Sequence, residues 1–560
     1  MKIEYFKSFA AQNILAIPIL LIFIIGLFFV SCSDKKTSEE FQRDYLTPEI
    51  SCGTVQFSDG CSPKLDTLIS FGIALIHHMT YEDAAYTFNN VIILDKDCFW
   101  GYWGKAMTIV HPLWPEIPNE DELKEGYLLS QTALNLAKSK KEKFYGAAIA
   151  AYFKNGLTKT QPERLSAFYE GWKIASEELP EDLEASMFHV LTMLATAPPN
   201  DKSYKVQREA GAICEKVLEL IPDHPGAIHY ALHAYDFPPL APKALLLARN
   251  YYKIAPEIPH ALHMPTHILT RLGYWQESID LNIRSAAVAI KIPVNGFISA
   301  QYLHALDYLT YAYIQQSQFE KAKDIATLID TLNGKFQPSP ISAYALAAIQ
   351  ARLVLEYQNW SHAANLSLSN YSDFPWTKFP QYEALIYFAK GIGAGRTGNA
   401  EIVLKAYQKL EELQNTFKDT EANKYWINQI EVQKKVVKAW QLFVQNEKEK
   451  SLDTMKAAAD LEDASEKNPV TPGALLPARE ILGDLLLELN KPNEALLQYE
   501  LCLKNNPNRF NSLYGAGKSA ELMGDNEKAK FYFKALIDIN KSSDSKRERL
   551  VYALNEVNKI

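Results

Sequence analysis

The chain has 560 residues, 48% of them hydrophobic and 22% charged, a balance that suits a globular protein with a sizeable core. Its formal charge of −8, from 58 basic and 66 acidic side chains, has the wrong sign for a dedicated nucleic-acid binder, so no nucleic-acid partner is expected. No long run of one charge sign marks a basic arm or an acidic tail.

The first 31 residues read as a leader. Lys2 and Lys7 precede an unbroken apolar run over residues 14–30, and the small residues of "VSC" close it before the polar "SDKKTSEE". Seventeen residues interrupted by Pro18 and Gly26 are short for a spanning helix. The end of this segment resembles a bacterial lipobox, with Phe29 where that motif usually has Leu. The resemblance implies lipid on Cys32, a body carried outside the cytoplasm, and, with Ser33 following, sorting to the outer membrane. In such an oxidising compartment Cys52 and Cys61, flanking "GTVQFSDG", either close a small loop or stand as two free thiols. Cys98, Cys214 and Cys502 are expected to be isolated and buried, and no CxxC motif occurs.

From residue 63 onward the chain reads as helical hairpins. "FGIALIHHMTYEDAAYTF" places Gly72, Ala84 and Phe88 at the small, small and aromatic positions of one hairpin. Residues 110–200 are helical by pattern but fit this template poorly. Ala210 with Pro222, and Ala244 with Pro256, then repeat at 34-residue spacing, and Ser278 continues it. About ten residues, "KIPVNGFISA", interrupt the register before Ala322. Helical pairs are expected at 341–370 and 382–415. "GAGRTG" satisfies G-x-G-x-x-G, but no strand precedes it, so small residues at helix contacts are the expected reading. The mixed-sign stretch 446–467 reads as a solvated helix face. The clearest pair is C-terminal: Gly483, Ala495 and Tyr499 recur as Gly517, Ala529 and Phe533, each 34 residues on. That is the tetratricopeptide period, in which small residues let two antiparallel helices approach and an aromatic fills the gap to the next repeat. The expected fold is an all-α solenoid. Its divisions are a leader (1–31), a linker (32–62), a histidine-rich array (63–335), middle helical repeats (336–468) and a C-terminal repeat pair (469–560).

Seven of the twelve histidines fall between residues 224 and 304, where an even spread would put about two. With Ala244 counted as position 20 of its repeat, His229 and His233 occupy positions 5 and 9. His263 and His267 occupy the same positions one repeat later, and His260 is at position 2. After the insertion, His304, Asp307 and Tyr311 fall at positions 2, 5 and 9. In the tetratricopeptide repeats that this chain resembles, these positions of the first helix face the concave groove. Residues four apart share a helix face, so imidazoles of neighbouring repeats could converge, with Asp236 and Arg271 beside them. Three readings stand side by side. One is a site for zinc, iron, copper or nickel, with His229, His233, His260, His263, His267, His304 and Asp307 as candidate ligands. Another is a groove for a peptide or acidic ligand, and the last is a set of structural histidines. Pro265 at position 7 suggests that the helix starts near His263 and leaves His260 on the entering loop. His77, His78, His111 and His189 read as structural. Glu480 and Asp484, at positions 5 and 9 of a later repeat, make the groove acidic there or form a solvated face.

The segments "LATAPPNDKSY", "DHPGAIHYALHAYDFPPLAPKAL", "PHALHMPTHILTRLGYWQESI" and "LEDASEKNPVTPGALLPAREILGDLLLELNKPNEALLQYE" resemble a group of bacterial extracytoplasmic tetratricopeptide-repeat lipoproteins. The resemblance implies a solenoid that binds a protein or peptide through its concave surface and is tied to the membrane by lipid. The alternative is a metal-binding protein or metalloenzyme centred on the histidines. Neither a Ser-His-Asp nor a Cys-His nucleophile motif occurs, and HYALH and HMPTH both lack the Glu of the common metalloprotease motif. Any activity is therefore expected to depend on metal.

Overall fold

In the computed structural model the described residues are 47–57, 62–198, 201–332, 335–468 and 470–559. The leader, Cys32 and Cys61 lie outside them. The described residues fold into 26 α-helices from Pro63–His77 to Glu548–Lys559, with two isolated β-bridges and no strand among them. The all-α solenoid expected from the sequence is the fold observed. None of these helices is long and apolar enough to cross a membrane.

Close helix contact follows from the small residues. A methyl group added at Gly72 would meet the Phe88 ring at 2.6 Å, one at Gly483 would meet Tyr499 at 2.7 Å, and one at Gly517 would meet Phe533 at 2.6 Å. Each aromatic lies directly on a glycine of its partner helix, as the 34-residue register requires. Tyr499 also lies on Gly515 of the following hairpin, so one ring joins two repeats. The same logic explains "GAGRTG". Gly393 and Gly395 belong to helix Pro380–Arg396, where Gly393 packs on the backbone of Trp360 and Gly395 on Trp440.

A second regularity is confined to the backbone. Met79, Gly273, Ser317, Gln358, Gly398, Asn446, Asn490 and Gly524 all have positive φ. Each stands two residues before the first residue of a second hairpin helix: Tyr81, Trp275, Phe319, Trp360, Ala400, Lys448, Pro492 and Asn526. A left-handed residue ends a helix sharply and reverses the chain, so eight hairpins share one turn. Only the last two of these residues are 34 apart; successive members from Gly273 to Asn490 stand 40 to 48 apart. The extra length lies between the hairpins. After Ile290 it forms a loop in which Val294 pairs with Phe297 and Ile298 with Phe336, the insertion expected at 291–300. The helices at 120–195 lack this turn, except for Asn155, in keeping with their poor fit to the template. Helix Lys448–Asp463 keeps most of its charges outward but buries Leu452, Met455 and Ala459, and its Glu462 turns in to accept from the Ala478 N–H, so the mixed-sign stretch is only half a solvated face.

The superhelix closes on itself. Trp275 donates its indole N–H to the Asn508 carbonyl at 2.8 Å, and Gly273 lies so near Pro507 that an added Cβ would sit 2.3 Å from its carbonyl oxygen. Farther along the seam, Lys202 pairs with Glu466 at 2.6 Å and Lys467 with Asp236 at 2.8 Å. Residues from the first half of the chain are thus joined to residues more than 200 positions later.

Cys52, Cys214 and Cys502 are free thiols, whereas Cys98 is disulfide-bonded. The expectation for Cys98 is corrected accordingly. Of the Cys52–Cys61 alternatives, the free thiol holds for Cys52.

Candidate metal centre

Helix Pro225–Tyr235 carries His229 and His233 one turn apart, and helix Ala300–Gln315 carries His304. Between them the chain forms two short helices, Pro259–His263 and Pro265–Arg271, with a proline at the start of each. Pro265 divides what would otherwise be one helix, because it lacks an N–H and crowds the turn before it. His260 is therefore helical, not on an entering loop, and it is aimed at the cluster.

The histidines sort into two triads. In the first, His229, His233 and His260 offer nitrogens within 4.8 Å of one another; in the second, His263, His267 and His304 do the same. The His229 Nε2 lies 3.1 Å from His233 Nε2 and 3.2 Å from His260 Nε2. His263 Nε2 lies 3.1 Å from His267 Nε2. Two nitrogens bound to one tetrahedral ion at about 2.0–2.1 Å stand about 3.3 Å apart, so these separations fit an ion between the rings.

The opposite ring nitrogens decide where the protons are. His263 Nδ1 faces the side-chain oxygen of Asn282 at 2.8 Å, and the Asn282 amide N–H₂ is turned to the Ser278 carbonyl at 2.9 Å. His267 Nδ1 faces the Asp236 carboxylate at 3.3 Å. Both partners accept, so both Nδ1 atoms carry the hydrogen and both Nε2 atoms are bare in the neutral rings. Two bare lone pairs therefore point at one another across 3.1 Å with no proton to share. Burial, then the charge of the neighbouring imidazole, holds His263 well below its usual pKa and opposes a second proton there. In the first triad, His229 Nδ1 donates to the His77 carbonyl at 2.5 Å, and its bare Nε2 faces two imidazoles. Histidines that bind metal commonly donate their other N–H to such carbonyl, amide or carboxylate oxygens.

Burial lowers the pKa of every ring in the two triads: His233 to about 3, and His229, His260, His263 and His304 well below the ordinary value. Neutral imidazole is the form that binds metal. Tyr308 stacks on His267 with ring centroids 4.9 Å apart and stands edge-on to His263, while Trp114 covers His260 at 5.4 Å.

A third group, His77, Glu184 and His224, has the same compactness but different chemistry. His224 Nδ1 accepts from the Ala227 N–H, so its Nε2 carries the hydrogen and stands 3.2 Å from one Glu184 oxygen. His77 Nε2 stands 2.6 Å from the other oxygen. Glu184 hydrogen-bonds His77, while the His224 Nε2 faces its other oxygen without making a hydrogen bond. With His78 held between the Tyr251 hydroxyl and the Cys52 carbonyl, the structural reading of His77 and His78 fits their contacts. His111 stacks on Tyr81, and His189 meets the Ser176 hydroxyl at 3.1 Å.

Asp307 stands outside both triads. It is fully buried beside Arg352, 3.5 Å from the guanidinium, and burial raises its pKa to about 6 against that charge. The residues expected to line a groove are also engaged within the chain. Asp236 holds Arg271 at 3.1 Å and Lys467 at 2.8 Å in addition to His267. Glu480 is 2% exposed and grips Arg509 through both oxygens, at 2.8 and 2.9 Å. Asp484 accepts from the Tyr499 hydroxyl at 2.7 Å, and Tyr311 accepts from Arg509 at 2.9 Å. The open acidic surface expected at Glu480 and Asp484 is corrected: closure of the superhelix fills it. Asn282, Tyr308 and Lys467 escaped the sequence reading because none shares the histidines' register.

Residues 510–543 match the family model of the tetratricopeptide repeat. The chain is an α-solenoid of tetratricopeptide-like helical hairpins, here with a histidine-lined interior. No curated protein matches it. Among solved structures it is similar to the human IFIT1 dimer with m7Gppp-AAAA, at 14% identity and TM-score 0.38, over 75% of this chain and 87% of that one. It is also similar to yeast Tom70, at 14% identity and TM-score 0.28, over 89% and 96%. For the Cut9–Hcn1 hetero-tetramer the values are 12% and 0.30, over 88% and 97%.

Proposed function

We propose that this solenoid holds transition-metal ions in its interior, one at each histidine triad. The observation that carries the reading is the approach of His263 Nε2 and His267 Nε2 to 3.1 Å while the other nitrogen of each ring faces an oxygen acceptor. In the His77–Glu184–His224 group, by contrast, the Nε2 of each ring faces a carboxylate oxygen and not another imidazole. Imidazole donors suit zinc, iron, copper or nickel. The full-length chain, purified without a histidine tag or chelator, is expected to contain stoichiometric metal by elemental analysis. The paired His229→Ala/His263→Ala variant should lose it while keeping its helical circular dichroism. Asn282→Ala, which touches no metal, should weaken affinity by about 10–100-fold. No bound metal after incubation with each of the four ions would overturn the reading.

The same proposal places the protein at the cell envelope, carried by lipid on Cys32, as a repeat scaffold for a protein partner. The disulfide at Cys98 supports an oxidising compartment. Because the side chains at the template's concave positions are occupied within the chain, a protein partner of this solenoid docks on another face. Cys32→Ala is expected to move the protein from the membrane fraction to the soluble fraction; an unchanged distribution would rule out lipid on Cys32 as the anchor.

A further inference from the structure

We infer that the two triads form one pocket for a small monoanion, of hydroxide to azide size, bound between the two ions. The inference rests on the metal reading above and adds a ligand to it. The triads are neighbours: the His233 and His267 ring centroids are 6.5 Å apart, and those of His260 and His263 are 6.3 Å apart. Each triad supplies three nitrogen donors, which leaves a position open on an ion that prefers four.

Charge makes the demand for an anion. All six donors are neutral imidazoles, and neither triad includes a carboxylate. Two divalent ions would bring four positive charges into a buried space, and a buried charge has to be paired. The nearby carboxylates already face cations of the chain. Asp236 is matched by Arg271 and Lys467, and Asp307 lies against Arg352. Asp236 with its two cations leaves a net positive charge next to His267. The protein thus supplies geometry for the ions but no compensating charge, and that charge has to come from a ligand.

Size and entry also follow from the surroundings. Tyr308 covers His263 and His267, and Trp114 covers His260, so a ligand between the rings is limited to a few atoms. A cavity of about 420 Å³ is lined by Arg271, Lys467 and Tyr344 among others. Its Arg271 and Lys467 also touch Asp236, the carboxylate that faces His267, so the cavity reaches the contacts behind the second triad.

The test uses the full-length chain loaded with Co(II) and titrated with sodium azide, followed by the visible absorption of the metal. The expected result is two ions per chain and a spectral change that saturates at one azide per two ions. In His229→Ala/His233→Ala, which keeps the second triad alone, azide affinity should fall about a hundredfold, because one of two linked contacts is gone. Two bound ions with a spectrum that excess azide leaves unchanged would overturn the anion pocket and leave the metal reading standing. Equal azide affinity in the single-site variant would do the same. A chain that binds no cobalt, zinc, iron, copper or nickel would overturn both.

Discussion

Acidification from pH 7 to pH 5 is expected to unfold the metal-free protein. Six histidines, His78, His229, His233, His260, His263 and His304, have folded pKa values well under the ordinary 6.5, with His78 at about 4 and His233 at about 3. Burial is the largest cause in each case. A group whose pKa is depressed by folding adds no proton to the native state as pH falls, while the unfolded chain takes one up below 6.5. The unfolded state then binds more protons, and stability falls with pH. Each such group contributes about 1.4 kcal/mol per pH unit below 6.5. Six together give ~8 kcal/mol per unit, against a whole-domain stability of ~5–15 kcal/mol. The window opens near pH 6.5 and extends down towards pH 4. Urea midpoints measured at half-unit steps should drop steeply there. Saturating metal should shift the drop to lower pH, since an ion on the neutral rings stabilises only the native state. A midpoint that stays level from pH 7 to pH 5 would show that these rings are not buried in neutral form.

Arg509→Met is expected to cost ~3–5 kcal/mol. Arg509 is fully buried and its guanidinium meets Glu480 at 2.8 Å and Glu356 at 2.6 Å; the two carboxylates are 2% and 0% exposed. Asn511 also donates to Glu356 at 2.8 Å, and Ser512 to Glu480 at 2.5 Å. Removal of the guanidinium leaves two carboxylates facing each other in a dry interior. Methionine keeps most of the packing, so the loss reports charge. Adding Glu480→Gln removes one unpaired charge and should recover part of the loss, a coupling that a double-mutant cycle isolates. If Arg509→Met costs under ~1 kcal/mol in urea unfolding, the network does not hold these helices together.

The helical repeat was legible because its cause is local. Gly483 with Tyr499, and Gly72 with Phe88, carry their contact in residue type and spacing. The shared left-handed turn was legible only where glycine or asparagine occupies it. Met79, Ser317 and Gln358 adopt the same backbone without any such mark, because tertiary packing imposes it. The histidine register named the six side chains that the helices bring into the two triads. It did not separate them into two triads, since that depends on helix-to-helix offsets and on the break at Pro265. The closure of the superhelix was illegible for a different reason. It depends on contacts such as Asp236 with Lys467 and Trp275 with Asn508, each more than 200 residues apart, and no periodicity records them.

The Asp236–Lys467 pair also imposes an order of events on biosynthesis. All six histidines of the triads leave the ribosome before Lys467, which follows Asp236 by 231 residues. At about 5–20 residues per second, that interval is roughly 10–45 s. During it the nascent chain presents imidazoles without the ammonium that fixes Asp236, and hence without the finished orientation of His267. A chain cut short before residue 467 would carry every candidate ligand and still lack the clasp. Synthesis of Lys467, and not the emergence of the histidines, is the step that completes the contacts around Asp236 and His267.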